Sequence, residues 1–256
     1  MGTVPSSEGP ELLAPQERKG NSTLSYLYTV AFVLLLLAFS FVSQTRVGSH
    51  ASRGHVLFYA FTIVWEFILL GLVYLGARLA RLTFRELIGG RWNRFEDFLL
   101  DVVIAAGFWI VSDMVLVGLG YLLGLSKAGQ TDEVRQLLQT LAPHNVRELI
   151  VWILLSSTAG FCEEIIFRGY LQRQLASMLG NVWGGMLVSA AVFGLSHAYE
   201  GHRRMLLIAI YGALFGTLAI LRKSLRPGMM AHAWHDSFAG VGLFFYERMM
   251  KSGVIK

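Results

Sequence analysis

Apolar positions in this chain come in long runs, separated by short polar and mostly basic segments. A helix that crosses a bilayer needs roughly 20 mainly apolar residues. Seven stretches supply them: 24–43, which carries no charge; 56–77, interrupted only by Glu66; about 98–123, containing Asp101 and Asp113; about 149–172; about 182–198; 205–221; and about 227–246. The pattern predicts an all-α fold, a polytopic transmembrane helical bundle with about seven spans. No internal repeat or low-complexity tract is visible. Residues 1–23 are polar and hold Pro5, Gly9, Pro10 and Pro15, which predicts a disordered tail. Residues 24–145 then form N-terminal spans and loops, and 146–248 a C-terminal helical unit.

Composition agrees. The chain of 256 residues is 54% hydrophobic and only 15% charged, where an ordinary soluble domain carries about 25% charged residues. Its mean hydropathy is +0.53. This much apolar surface exceeds what one soluble core could hide, so membrane lipids are its natural surroundings. The net charge of +5 does not indicate nucleic acid, because the basic residues sit between apolar runs and set topology instead. Arg78, Arg81, Arg85, Arg91 and Arg94 stand against Glu86 in one loop. Cytoplasmic loops gather Lys and Arg, so this loop and the N-terminus are expected in the cytoplasm, with the plasma membrane as the expected location. Residues 83–92 could lie in the interface as a short amphipathic helix. Residues 124–147 would face outside. Arg222, Lys223 and Arg226 fall inside as expected, whereas Arg203 and Arg204 fall outside, against the rule. The single cysteine, Cys162, has no disulfide partner and reads as a small buried hydrophobe.

Charged groups within a span are costly and mark function by default. In the fourth span, Glu163 and Glu164 are adjacent, and Glu164 and Arg168 are four apart, on one helix face where they can pair. Glu163 is rotated about 100° away and can point into a cavity, where a carboxylate without its own cation would have a raised pKa suited to a general base. The alternative is that the group marks the membrane edge. His197 closes a charge-free stretch in the fifth span. A lone histidine there is more often interfacial than catalytic. In the seventh span His232 and Asp236 are four apart, so the acid can fix the imidazole tautomer; His235 is the less natural partner. Glu66, Asp101 and Asp113 have no spacing that joins them to a site. Three helices thus offer a Glu pair, a His and a His–Asp pair, which around one cavity could activate a water and stabilise an oxyanion.

These residues resemble the CPBP family of intramembrane peptidases, which includes the type II CAAX prenyl endopeptidases and Abi-type proteins. Its Glu-Glu-x-x-x-Arg motif is matched by Glu163, Glu164 and Arg168, its Phe-x-x-x-His motif by Phe193 and His197, and its His-x-x-x-Asn/Asp motif by His232 and Asp236. The resemblance covers about residues 149–246 and makes 146–248 the expected catalytic core. It implies hydrolysis of a peptide bond, on prenylated CAAX-type or other membrane-associated peptides, with a peptide or protein as substrate. Glu163 would activate water, helped by His197. His232 and Asp236 would stabilise the oxyanion, with Glu164, Arg168 and Phe193 in support. No cofactor is required on this reading. Zinc stays open, since Glu163, His197 and His232 could form a three-ligand site. A proton- or ion-coupled carrier and a non-catalytic scaffold of the same fold are the alternatives. One geometric tension arises. Counting about 1.5 Å per residue from the expected span starts, Glu163 lies ~21 Å along its helix and His197 ~22 Å along one running the other way.

Overall fold

The computed structural model describes residues 22–44, 54–124 and 142–252, so the expected polar tail and most of the loop assigned to the outside lie beyond the described residues. Among the described residues every regular element is a helix. In chain order these are α1 (Ser22–Gln44), α2 (His55–Leu79), α3 (Phe84–Ile88), α4 (Phe95–Leu122), α5 (Val146–Glu163), a π-helical segment (Glu164–Leu171), α6 (Gln172–Leu179), α7 (Val182–Ser196), a 3-10 turn (Ala198–Glu200), α8 (His202–Arg222) and α9 (Arg226–Lys251).

Five helices are long and apolar enough to cross a membrane: α1, α2, α4, the continuous Val146–Leu179 helix and α8. The other two expected spans are also helices. Helix α7 has only 15 residues, and α9 has 26 but carries His232, His235, Asp236, Glu247 and Arg248. The bundle has an apolar core that also encloses polar side chains, and its outer surface is apolar. Ser25, Thr29, Ser40, Ser112, Gln172, Gln174 and Ser189 are buried, while Leu57, Phe61, Val103, Met114, Val117 and Leu122 are exposed. That distribution suits an integral membrane protein, whose surrounding solvent is hydrocarbon and whose polar groups must be satisfied internally.

The fourth span departs from expectation. It continues through Arg173 and Gln174 to Leu179, giving 34 residues, or about 51 Å. The polar positions that looked like its end have tertiary partners. Ser25 donates to Gln174 Oε1 at 2.9 Å, and Gln172 Nε2 donates to the carbonyl of Gly216 at 3.2 Å. The helix stops at Gly180, whose φ of 62° is left-handed and suits glycine. Asn181 caps α7 by accepting from the amide of Gly184 at 2.8 Å, and α7 runs back along the long helix. Glu163 and His197 stand 17 residues on either side of Gly180. An antiparallel hairpin therefore brings them level, which resolves the tension in depth. The same turn sets the level of Arg203 and Arg204 along the bundle. Helix α7 rises only about 22 Å, so the following segment turns near the level of Glu163.

Close approach depends on small residues, as is usual between helices in lipid. A Cβ on Gly160 would stand 2.7 Å from the backbone nitrogen of Ala233 and 2.8 Å from the carbonyl oxygen of Met229, so α5 and α9 touch backbone to backbone there. Gly194 meets α8 likewise, 2.7 Å from the carbonyl oxygen of Met205. Gly160→Val is expected to lower stability by about 1–3 kcal/mol and to separate Glu163 from His232. A lowered melting temperature in detergent checks this.

The basic loop forms a base beneath the bundle. Within residues 83–92 only Phe84–Ile88 is helical, closed by a capping box between Thr83 and Glu86. Leu87 is fully buried beneath Gly169 of the π segment. Arginines of the α8–α9 turn bind across to this loop and to α4. Arg226 Nη1 donates to the carbonyl of Gly89 at 2.5 Å, and Arg222 Nε donates to Asp101 at 3.0 Å. Trp92 Nε1 also donates to Asp101, at 2.8 Å. Asp101, without a partner in sequence, thus has a structural one.

Candidate functional site

The three motifs meet at one place. Glu163 ends α5, where the backbone widens into the π segment, a feature that tends to mark functional sites. Its Oε1 lies 4.0 Å from His197 Nε2 and its Oε2 lies 3.7 Å from His232 Nε2. Both gaps exceed a direct hydrogen bond and are wide enough for a bridging water.

Each imidazole is held by its other nitrogen. His197 Nδ1 is 2.9 Å from the carbonyl oxygen of Phe193. A carbonyl only accepts, so Nδ1 carries the proton and Nε2 is the atom turned to Glu163. His232 Nδ1 is 3.1 Å from Glu164 Oε1, and Glu164 Oε1 is 2.9 Å from Arg168 Nη1. Glu164 is thereby the acid that orients His232. The hydrogen bond expected from Asp236 does not form: Asp236 Oδ2 stands 3.6 Å from His232 Nε2, on the same side as Glu163. The reason lies in packing. Helix α9 crosses α5 at Gly160, which sets the His232 ring against the Glu164 face, and Glu164 is a closer neighbour in space than the residue one turn on. Carboxylates thus lie toward both ring nitrogens, with a hydrogen bond at Nδ1 alone.

Phe193 explains its place in the second motif. Its ring lies 4.4 Å from Arg168 Cζ and meets His197 edge-on, at 4.8 Å between centroids. Arg168 is buried, and its Nη2 donates to the carbonyl of Gly212 at 3.3 Å. Phe193 and Phe215 screen this cation from lipid while leaving its attraction to aromatic faces. Phe215 and Tyr211 also close round His232, at 5.5 and 6.0 Å between centroids.

Other acids take different places. Asp113 binds His235 Nδ1 at 2.6 Å, so that pair belongs to the α4–α9 contact and not to the three-motif site. Glu66 is different. It is buried, its Oε2 has no hydrogen-bond partner among the described residues, and it lies within electrostatic reach of Glu163. Sequence spacing left it out of the site; its one signal was a lone carboxyl in an apolar helix. Glu200, in the 3-10 turn, also faces the site. Burial pushes its carboxyl above the ordinary range, against the opposing pull of His197 and Arg204.

Among the described residues, the one group whose donor atoms all lie within 4.8 Å of one another is His55, His144 and Glu148, elsewhere in the fold.

The order, spacing and convergence of these motifs accompany a family match: residues 145–238 match the family model of the type II CAAX prenyl endopeptidase Rce1-like proteins. This part of the chain is an Rce1-like domain. No curated protein and no solved structure matches the chain. The Rce1-like domain spans α5 to the middle of α9 and holds every residue of the three motifs. Helices α1 to α4 lie outside the match but pack against the domain, and α2 contributes Glu66 next to the site.

Proposed function

We propose that the protein is an intramembrane endopeptidase with residues 146–248 as its catalytic core, and that it hydrolyses a peptide bond by a Glu163-activated water. The observation that carries this reading is the gap between Glu163 Oε1 and His197 Nε2, 4.0 Å, bordered on the other side by His232. A water held there loses a proton to Glu163 as its oxygen attacks the carbonyl carbon. His197 Nε2 aligns the water. The developing oxyanion takes a hydrogen bond from His232 Nε2, whose ring Glu164 fixes from behind, with Asp236 turned to the same edge. Collapse of the intermediate breaks the carbon–nitrogen bond, and Glu163 passes its proton to the leaving amine. The products are a carboxylate and an amine. No step requires a metal or organic cofactor.

The Rce1-like match supports a membrane-associated peptide as substrate, with prenylated CAAX-type peptides first. The arginine-rich loop supports a cytoplasmic N-terminus. The test is cleavage by the full chain in lipid vesicles, followed by mass spectrometry. A farnesylated peptide should be cut and its unprenylated counterpart left intact. Equal cleavage of both would discard the prenyl requirement. Failure on these and on a panel of membrane-anchored peptides would sink the peptidase reading.

A further inference from the structure

A second cluster of chemistry-bearing side chains lies at the opposite end of the long helix from Gly180. His55 opens α2, His144 precedes α5, and Glu148 sits in the first turn of α5. Glu148 is 15 residues before Glu163, about 22 Å along the helix, so the cluster is separate from the peptidase site. Three donor atoms converge. His55 Nδ1 and His144 Nδ1 are 2.8 Å apart. Glu148 Oε2 is 3.3 Å from His55 Nδ1 and 3.5 Å from His144 Nδ1.

With Glu148 ionised, hydrogen bonds alone leave one edge of this triangle unsatisfied. With one proton on the facing nitrogens, whichever ring holds it, one edge opposes two lone pairs. With a proton on both rings, two N–H groups oppose each other across 2.8 Å. A single cation resolves all three edges. Tetrahedral zinc binds imidazole nitrogen and carboxylate oxygen at about 2.0–2.2 Å, which requires donor–donor edges of roughly 3.3 Å. The observed edges bracket that figure.

The surroundings are built for the same purpose. Glu148 is fixed in place: its Oε1 accepts from Asn145 Nδ2 at 2.7 Å and its Oε2 accepts from the amide of His144 at 2.8 Å. Behind His144, the carboxylate of Glu247 on α9 lies 3.6 Å from Nε2. A carboxylate on the far nitrogen of a histidine is the usual device for orienting a metal ligand. The set also selects the metal class. Two imidazoles and one carboxylate suit zinc or a similar transition metal, whereas magnesium and calcium prefer all-oxygen sites.

We propose that His55, His144 and Glu148 bind one zinc ion, oriented through Glu247, and that this ion ties the ends of α2, α5 and α9 together at a distance from the peptidase site. It joins the start of α2 to the start of α5, so it acts as a clasp on the bundle.

The test uses the full chain in detergent, stripped with a chelator, dialysed and refilled with zinc chloride or cobalt chloride. Elemental analysis of the wild-type protein is expected to find one zinc per chain, with cobalt giving the absorption of a tetrahedral site. Zinc should raise the melting temperature. His144→Ala, at a half-buried position, should abolish binding, as should His55→Ala. Glu247→Ala should weaken zinc roughly 10–100-fold. Glu163→Gln should bind zinc as the wild type does. A wild-type protein that takes up no zinc overturns the proposal whatever the variants do. So does zinc retained by folded His144→Ala and His55→Ala, or zinc lost from Glu163→Gln.

Discussion

Glu163→Gln is expected to reduce peptide hydrolysis by roughly 10²–10⁴-fold, the share of catalysis that a positioned general base contributes. The amide has nearly the same size as the carboxyl group, so the packing of α5 against α9 at Gly160 is kept. What changes is proton affinity: an amide oxygen cannot take the proton of a water attacking a carbonyl. The loss should fall on kcat with KM little altered, because the substrate's remaining contacts stay in place. A melting temperature close to that of the wild type would show that the fold is intact. Undiminished cleavage by this variant would remove Glu163 from the mechanism.

Arg168→Met is expected to act through stability first, with a loss of about 3–5 kcal/mol. Side chains of Arg168 and Glu164 are 2% and 1% exposed, so removing the cation leaves a buried carboxylate with the His232 imidazole as its remaining partner. The double replacement Arg168→Met with Glu164→Met should recover much of that loss, since a buried ion pair exchanged for apolar groups is often neutral in stability. It should not recover cleavage, because His232 would lose the acid at its Nδ1. Denaturant unfolding in detergent together with the peptide assay separates the two effects. If the double variant regained activity, Glu164 would not be the residue that positions His232.

Much of this was legible along the chain, and for identifiable reasons. Apolar run length reported the helices, because hydrocarbon leaves the backbone no partner except itself. The i, i+4 spacing of Glu164 and Arg168 reported their ion pair, because both lie on one helix face and both would be costly alone. The end of the fourth span was misjudged for a physical reason. Gln172 and Gln174 look like a membrane boundary until Gly216 and Ser25, on other helices, are seen to satisfy them.

The sequence by itself determined an all-α membrane bundle and the identity of the residues in its polar interior. Solvation and helix periodicity act locally, so both can be read from neighbours in the chain. Only the tertiary structure decided how those residues pair. Glu164 rather than Asp236 holds His232, because Gly160 lets α9 approach α5 on that face. Asp113 takes His235, and Asp101 takes Arg222, across 122 and 121 positions of sequence. His55, His144 and Glu148 meet from two separate helix starts. Such contacts depend on how closely two backbones can approach and which side chain then lies nearest, and no spacing along one helix encodes that.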